Sequence, residues 1–500
     1  MKQSEKRYFK IYSSLHVKGD ANNYVALFNA IDKQKTYNEK ELLKKHKHEP
    51  FSKNFRFAKH YLYRLLLKSM RIYHADSTVE SEVQNTIRDI NFLNKKGLYA
   101  QSSKLLTKAK KTATEFEKHF TMLELLRIEQ KITQRLTKPQ NVQNTLNDIY
   151  NKQMQQMENL SNVISYQWLL DKLFAFTRLV GQTADKKSKE KYTQILEHPL
   201  LKDEKYATTD TSKVLFHQIF AAYYFYTKDY YKSNDHSRKI ISIIENKGTD
   251  IMNNPLDYLL FLSRLIVSYE TLGNRSRVLE LIQKTQSIVK EIKTEIPTNT
   301  LIHIYGQEHS FYFHTGQFQK ALDMIPQFNT ILEKGKKEVP IEIPALLHYN
   351  FAYINFVTGN YKEALVWINQ ILKQKRSIVR KDIMRITHIL NLLTHFELDN
   401  RDYSENLYLS LHRMFVKENA LGKFEKTALE LISKQLSFVG SRDEKIKFFK
   451  KIYNELKKAI KDPAEYQKLE QFDLVSWLES KIKGKTFSEI MKRKARSGGN

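Results

Sequence analysis

Gly316-Gln317-Phe318-Gln319-Lys320-Ala321-Leu322 and, 43 residues further on, Gly359-Asn360-Tyr361-Lys362-Glu363-Ala364-Leu365 are two copies of one pattern. The glycine supplies the left-handed φ at which a helix ends, and the aromatic two residues later fits the elbow of the turn. The small residue five positions on lets two helices approach closely. Each stretch therefore reads as the corner of a helical hairpin.

The corner recurs. Gly97, Gly181, Gly273, Gly316, Gly359 and Gly440 each end an apolar helical stretch, and their gaps are about 43 residues or twice that. Polar turns at Lys138, Lys228 and Asp399 fill the missing beats, leaving intervals of 40 to 47 residues. Degraded corners appear at Gly97-Leu98-Tyr99 with Ser102, at Lys228-Asp229-Tyr230 with Ser233, and at Asp399-Asn400-Arg401 with Ser404. Pro255, Pro297 and Pro340 precede Gly273, Gly316 and Gly359 by 18 or 19 residues, so proline opens the first helix of a hairpin and glycine closes it. A period of this length marks a stacked array in which each unit buries its apolar face against its neighbours. The expected fold is all-α: a right-handed α-solenoid of about nine antiparallel hairpins. It is expected to divide into a basic helical cap or domain over 1–80, repeats over 81–460, and a capping helix with a basic tail over 461–500.

Composition agrees with helix. Gly and Pro are scarce at 14 and 9, while 28 Tyr and 28 Phe give ample material for a core. The absence of cysteine excludes disulfides, thiolate metal sites and a thiol nucleophile, and it fits a cytoplasmic chain. Met1 to Lys10 is charged, with no following apolar run of signal-peptide type, and nowhere do eighteen apolar residues follow one another. A cytoplasmic location with no membrane span is expected. The net charge of +28 favours acidic partners, although lysine-rich solvated helix faces account for it equally well.

The corners resemble those of the tetratricopeptide repeats. Ala352, Gly359, Tyr361, Ala364 and Leu372 match that family's small residue, turn glycine, aromatic, alanine and later leucine, and Tyr312, Gly316, Phe318 and Ala321 match in the preceding unit. The resemblance covers residues 87–456 as architecture. It departs from the family in its longer period, since 34 residues is usual there. His348 also stands where a Trp is most common. The resemblance implies a subfamily with long repeats, such as occurs among bacterial proteins, and a protein-interaction role. In that arrangement the first helices line a concave side, which here presents Gln218, Tyr226, Arg264, His303, His314, Tyr349 and Tyr353, with Phe225, Ser310 and Phe356 between them. Rings and polar groups along one groove suit a peptide or a partner helix; the same rings at helical spacing also suit a core between hairpins. A clamp for a C-terminal carboxylate is not expected, because Asn350 and Arg264 lack the family's lysines and His303 and Leu346 stand in their place.

The first 75 residues do not keep the rhythm and hold 17 Lys or Arg against 6 Asp or Glu. They read as helices at Lys6 to Leu15, Asn23 to Lys33, Glu39 to Lys45 and Ser52 to Tyr73. On the last, Arg56, Lys59, Arg64, Lys68 and Arg71 share half the helical wheel, with Leu62, Leu65, Leu66 and Ile72 largely opposite. Such a face either tracks a phosphate backbone or keeps the end of the array soluble. Certain bacterial regulators join a helix-turn-helix to repeats of this kind, but the loop between the helices here is longer than that motif uses. After Leu456 come Pro463, an amphipathic stretch from Phe472 to Ile482 whose Trp477 and Leu478 suit a cap over the last hairpin, and a basic tail of Lys492, Arg493, Lys494 and Arg496, read as solvated.

Catalytic signatures are lacking. Glycines are isolated, so no phosphate-cradling loop, dinucleotide fingerprint or nucleophile elbow occurs. His46 with His48, and His388 with His395, lack carboxylates at ligand spacing. No catalytic residue, cofactor or metal is expected, and the reading is a non-enzymatic scaffold binding a peptide or protein in the groove. The alternative is a nucleic-acid-binding regulator with a basic N-terminal domain and a repeat sensor.

Overall fold

A computed structural model describes residues 1, 3–14, 23–34, 36–74, 79–136, 138–180, 186–247, 255–292, 296–335, 339, 342–374, 381–417, 422–436, 441–459 and 471–496. Among them there are helices, turns and no strand. None of the helices is long and apolar enough to cross a membrane. Contacts divide the chain into two compact units, Met1–Ile219 with Glu245–Asn253, and Phe220–Ile244 with Asn254–Asn500. Within the units, helices from Val79 onward pack chiefly on their neighbours in sequence, as in an α-solenoid, whereas Gln3–Ser14 and Asn23–Asp32 both pack mainly on Phe55–Tyr73.

The corners explain this order. At Gly97, Gly273, Gly316 and Gly359 the backbone takes φ of 74°, 71°, 74° and 82°. Each is closed by the same two bonds. At the third, Gln317 N–H donates to Tyr312 C=O at 2.8 Å and Gly316 N–H to Phe313 C=O at 3.1 Å, which satisfies carbonyls that the helix end leaves over. Lys228 and Asp399, expected as substitute beats, adopt the same conformation with φ of 66° and 55°. The aromatic after each turn meets a ring before it: Phe313 with Phe318, Phe356 with Tyr361, and Phe225 with Tyr230, at 5.3 to 5.9 Å between centroids. Ala321, Ala364, Ser102, Ser233 and Ser404 are buried as close approach requires. Where Ser replaces Ala, its hydroxyl can bridge the pair: Ser233 Oγ donates to Ala221 C=O on the facing helix at 2.8 Å.

The first unit opens with the helices Gln3–Ser14, Asn23–Asp32, Glu39–Lys45, Pro50–Lys53 and Phe55–Tyr73 around Phe9, Leu27, Phe51 and Leu62. The last two were expected as one helix; Asn54 separates them. Val79–Lys95 and Tyr99–Glu115 form the first hairpin, followed by His119–Leu136. A further left-handed residue, Glu117 with φ of 47°, turns the chain between them. Its carboxylate accepts from the N–H groups of Asp210 and Thr211 at 3.0 and 2.8 Å, capping the helix Asp210–Tyr226. Burial raises the carboxyl's affinity for its proton, yet these bonds, the Thr211 hydroxyl and Lys247 together hold its pKa below the ordinary value. The helix Pro139–Val180 runs unbroken for 42 residues where a hairpin boundary was expected. Nothing from Gln140 to Val180 is Gly or Pro, so no residue there interrupts the hydrogen-bond ladder. Gly181, Gly440, Pro340 and Pro463 lie outside the described residues.

In the second unit Pro255–Thr271 pairs with Arg275–Glu291 and packs on Thr298–His314; Glu342–Val357 pairs with Tyr361–Leu372 and packs on Lys381–Glu397. First helix thus meets first helix along the stack. Three expected outcomes in denaturant unfolding follow from the corners. Lys228→Gly relieves a left-handed L-residue and stabilises by about 1 kcal/mol, and Gly359→Ala costs about as much. Gly316→Ala costs more, because its Cβ meets Lys492 Cγ at 3.2 Å and Lys492 Cα at 3.3 Å.

Candidate functional site

Three of the residues expected on the concave face come together in the second unit. Tyr226 ends its helix half-buried, while Arg264 and His303 stand exposed on the next two first helices. The Arg264 guanidinium lies 5.8 Å from the Phe261 ring centre. Crowding by protein lowers the Arg264 pKa from its ordinary value, opposed by Tyr226 and Asp257, and crowding together with the charge of Arg264 lowers that of His303. Both side chains are thus reached by water and at the same time crowded by protein. Gln218, two turns before Tyr226 on the same helix, is half-buried and belongs to the first unit.

His314 takes part in a separate cluster. Its Nδ1 lies 3.0 Å from Glu270 Oε1 and 3.1 Å from Ser310 Oγ, and Ser310 donates to the same Glu270 oxygen at 3.0 Å. A nucleophile–base–carboxylate relay divides the two ring nitrogens between its partners. Here both partners meet at Nδ1, an arrangement that pins the imidazole. Among the described residues no three His, Asp or Glu gather as a metal site.

Tyr349 and Tyr353 do not line an open groove: they are 4% and 7% exposed. The chain's own C-terminal segment lies over them. Tyr349 Oη donates to Gln471 C=O at 2.8 Å, and Asp473 N–H donates to Tyr353 Oη at 3.0 Å. Phe472 is wedged against Tyr353, Phe356 and Phe487. Burial raises the pKa of both phenols far above the ordinary value, with Tyr353 adding to Tyr349's rise and Asp473 to Tyr353's. The helix Leu474–Lys483 continues the cover, its fully buried Trp477 donating Nε1–H to Glu397 at 2.6 Å while Lys481 pairs with the same carboxylate at 2.6 Å. It also packs on the helix Arg442–Ala459. The basic tail, read from sequence as solvated, is instead the helix Phe487–Arg496, bound back onto the array. Arg493 pairs with Glu479, Lys494 with Asp473, Lys492 covers Phe318, and Arg275 donates to the Ala495 carbonyl. Glu270, Glu397 and Asp473 are therefore working carboxylates that sequence reasoning missed, each being one of 55 acidic residues with no local motif.

In the first unit Arg56, Arg64, Lys68 and Arg71 are exposed on one helix. Lys59 is half-buried and paired with Glu39 at 2.6 Å, so it is not a free contact.

No model of a known protein family matches the chain, and no curated protein matches it.

A polar layer is buried within the second unit. Gln307 donates to Ser263 C=O at 2.7 Å, and His309 is 5% exposed between the rings of Phe328 and Phe351. Burial and the neighbouring His314 push the His309 pKa down from 6.5 to about 4. Between those two values the unfolded chain takes up a proton that the folded one refuses, so stability falls as pH drops through that window. In His309→Leu the unfolding midpoint should vary less steeply over this range than in the wild type. An equal slope contradicts the assignment.

Proposed function

We propose that the chain is a cytoplasmic, non-enzymatic interaction scaffold of tetratricopeptide type, and that it holds a peptide segment of a partner protein along the first helices of its hairpins. The observation that carries this reading is the way residues 471–473 are held. Tyrosine hydroxyls at 2.8 and 3.0 Å grip main-chain groups of the segment, and rings enclose one aromatic side chain of it. Main-chain bonds give affinity with little regard to sequence, and the ring pocket selects a side chain. The neighbouring stretch, with Tyr226, Arg264 and His303, offers rings and a cation on the same kind of surface. Its positive charge favours a partner segment bearing a carboxylate.

The test is a cross-linking pull-down with the intact chain and with the double variant Tyr226→Ala, Arg264→Glu. Both positions lie outside the buried core, so the thermal midpoint should stay within a degree or two of wild type. Partners identified with the wild type should be depleted at least ~10-fold with the variant, the loss of one desolvated ionic anchor. Equal capture by both overturns the groove assignment.

A further inference from the structure

The helix Phe55–Tyr73 contains no Asp or Glu, and only one side of it is used by the fold. Phe55, Ala58, Leu62, Leu65 and Ser69 are buried against the N-terminal bundle. The opposite side exposes Arg56, Arg64, Lys68 and Arg71 together with Phe57 and Tyr63, which are 67% and 60% open to solvent. At 100° per residue these fall in one half of the wheel, cations and rings intermixed, with the exposed His60 and Leu67 among them. Arg71 and Arg64 lie close to its centre. From Arg56 to Arg71 the row is about 22 Å long at the helical rise.

Charge on this face is unbalanced. Among the described residues none of these four cations makes an ion pair, and three of the bundle's carboxylates are paired with other side chains. Glu5 meets His74 at 2.9 Å, Asp32 meets Lys6 at 2.6 Å, and Glu39 meets Lys59 at 2.6 Å. Unpaired arginines in a row, with no acid on their own helix, leave a local positive potential that a polyanion matches.

We propose that this face binds single-stranded nucleic acid, the cations following phosphates and Phe57 and Tyr63 stacking on unpaired bases. The interleaving selects this occupant among polyanions. A helix lying in a membrane surface has its apolar residues at the middle of the buried face and its cations at the margins; here two arginines and His60 share the middle with Leu67 as the one aliphatic side chain. A duplex offers phosphates but keeps its bases stacked, which leaves exposed rings without a role, whereas single strands present a π-face at every base. This inference is independent of the peptide groove.

The test measures binding of the full chain to a labelled mixed-sequence single-stranded DNA, to the same sequence as a duplex, and to anionic phospholipid vesicles, over a salt series. The single strand should bind tightest, with log K falling linearly in log salt. Arg64→Gln with Arg71→Gln should weaken it by at least ~10-fold and flatten the salt slope by about 1.4, two phosphate contacts at about 0.7 each. Phe57→Ala with Tyr63→Ala should weaken it while leaving the slope unchanged, because stacking releases no counterions. All four positions are exposed, and an unchanged circular dichroism melt confirms that the variants are folded. The proposal is overturned by absence of retention at low salt, by duplex or vesicles binding as well as the single strand, or by an aromatic variant that binds like wild type.

Discussion

A single backbone device orders this molecule: a left-handed residue closing a helix through two main-chain hydrogen bonds. It occurs at Gly97, Gly273, Gly316 and Gly359, and again at Glu117, Lys228 and Asp399, where an L-residue accepts the strain. At each the N–H of the next residue reaches back five positions, for example Asp229 to Tyr224 at 2.8 Å and Asn360 to Asn355 at 2.8 Å. Because the bonds also satisfy carbonyls stranded at the helix end, the turn survives loss of the glycine. The rings flanking it and the small residue beyond it then set how closely the two helices lie.

Stacking of such hairpins exposes one row of first helices, and in the second unit the C-terminal segment fills part of that row. Its attachment depends on polar side chains aimed at main-chain groups and on a buried tryptophan tied to Glu397. Beside the covered stretch, Arg264 and His303 are reached by water although protein crowds them. Covered and open portions are made of the same materials: rings for area, hydroxyls and charges for register. That continuity is what joins the held segment to the proposed partner peptide.

Much of the fold is legible in the sequence. The hairpin corners follow from glycine and from the phase of proline; Lys228 and Asp399 take the left-handed conformation at the expected beats, and of the two only aspartate tolerates it readily, while Lys138 is not among the described residues that take it. Glu117 escaped notice because it turns the chain between hairpins, where no glycine marks the place, and its side chain works 93 residues away. The long helix Pro139–Val180 escaped because the rhythm implied a boundary that no residue enforces. Of the groove residues, Tyr226, Arg264 and His303 come together, whereas Tyr349 and Tyr353 lie under a segment some 120 residues distant in sequence.

The sequence by itself determined the helices, their corners and the one-sided charge of Phe55–Tyr73, because periodicity, glycine conformation and the absence of acids act over a few neighbouring residues. Only the tertiary structure decided which tyrosines are buried, which carboxylates hold Trp477 and the basic tail, and which cations remain unpaired. Those outcomes depend on contacts between residues up to 220 positions apart, such as Arg275 with Ala495, and no local pattern records them.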